Sequence, residues 1–94
     1  MSEEINLLRT KVYEMMIKLG SEEMYINHHL IYYLCEKYIK ISYEEKYVAV
    51  EVADSLREVE NNMYEDLDLY DYECMKEKDI TKEIEKDLIK YVLK

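Results

Sequence analysis

His28 and His29 are the only histidines of this 94-residue chain, and they are adjacent. Neighbouring residues on a helix point about 100° apart, so two adjacent imidazoles do not converge on one metal ion. Neither a His-x3-His pair nor a carboxylate at ligand spacing from either histidine is present. Cys35 follows His28 by seven residues, two helical turns away, which is too far for a thiolate–imidazole pair. Cys35 and Cys74 stand apart without Cys-x-x-Cys spacing, the pattern of inert thiols in a reducing compartment. Carboxylates are plentiful, but a general acid needs one held in an apolar pocket, and these lie in charged stretches. With one Gly and no Pro, no glycine-rich loop exists to cradle a phosphate. The expectation is a protein without catalytic residues, metal or cofactor.

What remains is recognition chemistry. The formal charge is −9, and it is unevenly placed: residues 41–94 hold sixteen acids against eight bases. From Glu58 to Met75 there are seven acids and no base. A solvated helix face ordinarily mixes both signs, because pairs four residues apart each contribute a few tenths of a kcal/mol and like charges there cost a similar amount. Such a field repels nucleic acid and anionic membrane and attracts basic protein surfaces. Tyr64, Tyr70 and Tyr72 lie within the run and supply rigid rings of the type that interfaces favour. Glu58, Tyr64, Glu65, Asp68, Asp71 and Tyr72 are the candidate partner-binding residues.

The elements that must position them read as helices. Zero Pro and one Gly leave few residues suited to the sharp turns of a sheet. Ser2, Glu3 and Glu4 form a helix start, Ile5, Leu8, Val12, Met15 and Leu19 recur at helical spacing, and Gly20 supplies the stop. A second helix is expected from Ser21 to about Ile41, closed by the capping-box pattern Ser42-Tyr43-Glu44-Glu45. Val48, Val52, Leu56, Val59, Met63, Leu67, Tyr70 and Cys74 then follow at intervals of 4, 4, 3, 4, 4, 3 and 4. That spacing predicts one amphipathic helix over about 43–75, roughly 50 Å long at 1.5 Å per residue. The polar run Lys76–Asp79 is the expected break before a short last helix carrying Ile80, Ile84, Leu88 and Tyr91. The fold class expected is therefore all-α, a single domain over 1–94 built as a small bundle of three to four helices. A 50 Å helix is too long for the others to cover, which predicts an antiparallel homodimer or a partner on its far end. No run of about 20 apolar residues and no basic leader is present, so cytoplasmic residence is the default.

Around Ala53-Asp54-Ser55-Leu56, with Val59, Glu60 and Met63 following, the chain resembles the acyl carrier proteins. The resemblance stretches over most of residues 21–94 and implies a phosphopantetheine arm on Ser55, with Glu58 and Glu60 meeting basic partner enzymes. It departs from the family at Val52, where a Gly is usual, and at Asn61, Asn62 and Glu65, which replace apolar positions. Residues 5–40 also resemble the two-helix aspartyl-phosphate phosphatases of the sporulation phosphorelay, but that family's functional Asp is Ile31 here, so its activity does not carry over. The reading that follows from the residues is a non-catalytic acidic helical interaction protein. It would act as an inhibitor or regulator that occupies a basic, nucleic-acid-binding type of surface, in the manner of a nucleic-acid mimic of phage or mobile-element type. An acyl-carrier-like protein modified at Ser55 is the alternative.

Overall fold

The structure, a computed structural model, describes residues 2–72 and 80–93. Its elements are α1 (Ser2–Lys18), β1 (Glu22–Ile26), β2 (His29–Leu34), β3 (Lys37–Tyr43), β4 (Tyr47–Ala53), α2 (Leu56–Glu60), β5 (Glu65–Asp71) and α3 (Ile80–Tyr91). The strands form one antiparallel meander in the order β1-β2-β3-β4-β5. The all-α expectation is overturned: the centre of the molecule is a five-stranded sheet, and the helices pack against it. Cys74 and the Lys76–Asp79 run lie outside the described residues.

The two outer helices form where the sequence placed them. Gly20 takes φ +93° and ends α1 in a Schellman arrangement: its N–H donates to the Ile17 carbonyl at 2.9 Å, and the Ser21 N–H donates to Met16 at 3.1 Å. The Ser21 hydroxyl donates to the same Met16 carbonyl at 2.8 Å. Val12, Met15 and Met16 of α1, with Ile80, Ile84 and Leu88 of α3, are buried on one face of the sheet. Tyr32, Leu34, Ile39, Val48, Val50 and Tyr70 meet them from the strands. On the opposite face Ile31, Ala53 and Val59 form a smaller cluster, with Met24, Ile26, Tyr38 and Tyr64 around it.

The expected second helix is instead the β1–β2 hairpin and most of β3. Its turns use residues that the composition argument had discounted. Asn27 and His28 sit at φ 54° and 67°, and Cys35 and Glu36 at φ 49° and 64°. Positive φ at both central positions is the requirement of a two-residue hairpin turn, and four non-glycine residues meet it here. Each L-residue held there costs on the order of 1–2 kcal/mol, which the cross-strand pairing offsets. Tyr33 and Tyr38 are one such pair, opposite each other with ring centres 4.9 Å apart. The Ser42-Tyr43-Glu44-Glu45 pattern caps no helix. It is the end of β3 and the turn into β4, where the Glu44 N–H donates to the Tyr47 carbonyl at 2.9 Å.

The long helix over 43–75 does not exist. Its span holds the last residue of β3, β4, one turn of helix and β5. In β4, Val48, Val50 and Val52 face the helices while Ala49, Glu51 and Ala53 face the other way, a strand's period of two. The homodimer was expected to cover that helix, and this ground for it is gone. The Cα radius of gyration is 12.7 Å, close to the ~13 Å of a compact chain of about 100 residues.

Candidate functional site

β5 is the outer strand of the meander, and no described strand pairs with its far side. Its sequence, Glu65-Asp66-Leu67-Asp68-Leu69-Tyr70-Asp71, places four carboxylates and no base along one edge. All four acids are exposed, while Leu67 is half-buried and Tyr70 is buried against the helices. A register shift between Val50 and Glu51 of β4 pairs Val50 with Asp68 and Glu51 with Asp66. Leu67 is the extra residue of this bulge, so Leu67 and Tyr70, three apart, both reach the helix-covered core. Leu69 is left 56% exposed among the acids.

The expected partner-binding residues are thus divided. Glu65, Asp68 and Asp71 share the β5 edge, joined by Asp66, which the sequence reading left out of the site. Glu58 is engaged elsewhere: its Oε1 accepts the Asp54 N–H at 2.8 Å, and its own N–H donates to Ser55 Oγ at 3.2 Å. Those two bonds cap α2. The Tyr64 ring lies on the other face of the sheet, half-buried beneath the Lys40 ammonium, which is 5.2 Å from its centre. Tyr72 packs against the core, its N–H donates to the Lys46 carbonyl at 3.0 Å, and its hydroxyl is buried without a partner among the described residues. Burial raises the pKa of both phenols, and both rings are already engaged, Tyr64 by Lys40 and Tyr72 by the core.

Lys37 and Asp54 form an ion pair beside the start of β5, and the Glu65 carboxylate is near enough to add to the field at Lys37. The hydrogen bond that the Lys37 ammonium donates to Asp54 Oδ1 lifts the Lys37 pKa above its ordinary value. Two like charges about 6 Å apart in water repel by about 0.7 kcal/mol, so the edge holds a repulsion that a cationic surface would relieve. Asp68 Oδ1 accepts the Leu69 N–H at 2.8 Å. A charged edge whose side chains also cover main-chain donors resists the addition of another strand, so the chemistry it offers is electrostatic.

Ser55 is not in mid-helix. It is the N-cap of the five-residue α2, extended at φ −145° and ψ 157° and exposed at the strand-to-helix junction. The acyl-carrier resemblance placed helices over residues that form β1 to β4, and α2 is one turn rather than a recognition helix. His28 and Cys35 lie in the turns at opposite ends of β2, a six-residue strand about 20 Å long. No group of three or more His, Cys, Asp or Glu side chains is placed to hold a metal among the described residues. None of the described helices is long and apolar enough to cross a membrane. No protein-family model, curated protein or solved structure matches the chain.

Proposed function

We propose that this chain is a non-catalytic, cytoplasmic interaction protein that docks its acidic β5 edge on a basic surface of a partner protein and thereby inhibits or regulates it. The observation that carries the reading is the row Glu65, Asp66, Asp68 and Asp71 on a single outer strand that contains no base. At about 3.4 Å per residue the strand places four charges along roughly 20 Å, Glu65 and Asp68 toward one face and Asp66 and Asp71 toward the other, about half the density of one DNA strand, which carries one per ~3.4 Å. That density suits a groove already lined with Arg and Lys for nucleic acid, entered as a competitor rather than as a close copy of a duplex. Leu69 among the acids adds apolar burial once the charges have steered the encounter.

The test uses a nona-arginine peptide as the basic probe and two variants with the same change in net charge. In one, Glu65, Asp66 and Asp68 are changed to Lys. In the other, the exposed Glu14, Glu22 and Glu60 are changed instead. The β5 variant is expected to associate at least about tenfold more slowly and to lose most of its salt dependence, while the control stays within about threefold of the parent. Equal losses in the two variants would mean that only the overall charge of −9 attracts the probe.

A further inference from the structure

The ladder between β2 and β3 closes at Ile31↔Lys40, yet β2 begins two residues earlier, at His29, and β3 runs three residues further, to Tyr43. Past that pair β2 stays with β1 and β3 stays with β4, so the sheet parts into two hairpins. A cleft of about 630 Å³ opens at the parting, and α1 borders it with Arg9, Thr10 and Tyr13. Small-molecule sites run from about 300 to about 1,000 Å³.

The lining is unlike the rest of the surface. Arg9, Lys40 and one acid, Glu44, are its charged lining residues, with the Glu23 carboxylate beyond the rim on Tyr13, in a chain that otherwise carries a large acidic excess. The Tyr64 ring holds the Lys40 ammonium on the opposite face of the sheet, which leaves Arg9 as the cation for the cleft. Its guanidinium carbon lies 4.9 Å from the centre of the Tyr43 ring, and no described carboxylate pairs with it. A guanidinium resting on a ring face keeps its planar fork of N–H donors available to an oxyanion. Tyr13, whose hydroxyl donates to Glu23 at 3.1 Å, and the exposed imidazoles of His28 and His29 complete the rim.

We propose that this cleft binds a small planar ring bearing an oxyanion, the anion on Arg9 and the ring between Tyr13 and the histidine pair. The site lies on α1 and the β2–β3 parting and is independent of the reading given to β5. Titrating the full chain with phenyl phosphate, benzoate and benzylamine, followed by amide chemical shifts, tests it. Saturable shifts at Arg9, Tyr13, His28 and Ser42 are expected with the anions, with a Kd on the order of 1 mM for probes of this size. The tighter of the two anions identifies the headgroup. Arg9→Gln, on an exposed helical position, should weaken binding at least about tenfold with helicity unchanged, and Lys86→Gln on α3 should leave it as it was. The proposal is overturned if benzylamine binds as well as the anions, if no titration saturates, if Lys86→Gln weakens binding as much as Arg9→Gln, or if Arg9→Gln binds at the parent affinity.

Discussion

At Gly20, φ is +93° and an added Cβ would meet nothing within 4 Å, so glycine supplies backbone conformation and not space. Gly20→Ala should therefore lower stability by about 1 kcal/mol, the left-handed penalty less the stabilisation from a lower unfolded-chain entropy, with spectra of the folded state unchanged. Urea unfolding measures it. The tyrosines give a second expectation. Burial, and then Glu23, push the Tyr32 phenol up to about 12. Tyr70 is raised by burial and by the hydrogen bond it donates to Asp87 at 2.6 Å. Both folded values exceed the unfolded value of about 10, so the stability they contribute is complete below pH ~10 and is lost as the pH climbs through the folded values. Above pH 10 stability should fall by as much as about 1.4 kcal/mol per pH unit for each ring. Urea midpoints at pH 9, 10 and 11 check this, and an unchanged midpoint at pH 11 would contradict it. At this scale Gly20 was legible because glycine takes the left-handed helix stop without a Cβ penalty. Asn27 and His28 carried a weak sign, since both residue types are enriched at positive φ, whereas nothing in Cys35 and Glu36 announces a turn that the strands on either side impose.

The helices α1 and α3 were legible for the reason that strands were not. Their apolar positions repeat at three and four, and caps or stops bracket them. A spacing of four, however, is also twice a strand's period, so Val48 and Val52 lie on one face in β4 just as they would in a helix. The intervals of three, which looked decisive for a helix, have local causes. Leu56 to Val59 is the single turn of α2, and Leu67 to Tyr70 crosses the β5 bulge. Met63, read as part of the same stripe, is 61% exposed in a loop. The alternation Tyr47-Val48-Ala49-Val50-Glu51-Val52-Ala53 was the available sign of a strand, and the scarcity of Gly and Pro outweighed it. The α2 junction carries its own expectation. Ser55→Ala removes the N-cap acceptor for the Glu58 N–H and should destabilise the protein by about 1 kcal/mol, read by urea unfolding. Incubation of the parent with a phosphopantetheinyl transferase and coenzyme A should leave its mass unchanged, whereas a mass gain abolished by Ser55→Ala would favour the carrier reading.

Across the whole molecule, charge is sorted by position. The acids of β5 line one edge of the sheet, and Arg9 and the histidine pair border the cleft beside α1 and β2. The concentration of acids was legible in the sequence, since charge needs no fold to be counted. Their arrangement was not, because it depends on β5 being an outer strand whose bulge turns Leu67 and Tyr70 inward together. The central claim, that this edge is a docking surface and not merely a soluble rim, is tested most directly by mapping amide shifts of the full chain during titration with nona-arginine. The account predicts saturable shifts concentrated on Glu65 to Asp71 and on Glu51 beside them, weakening as salt is raised from low to moderate concentration. Shifts spread evenly over all exposed acids, or centred on α1 and α3, would contradict it.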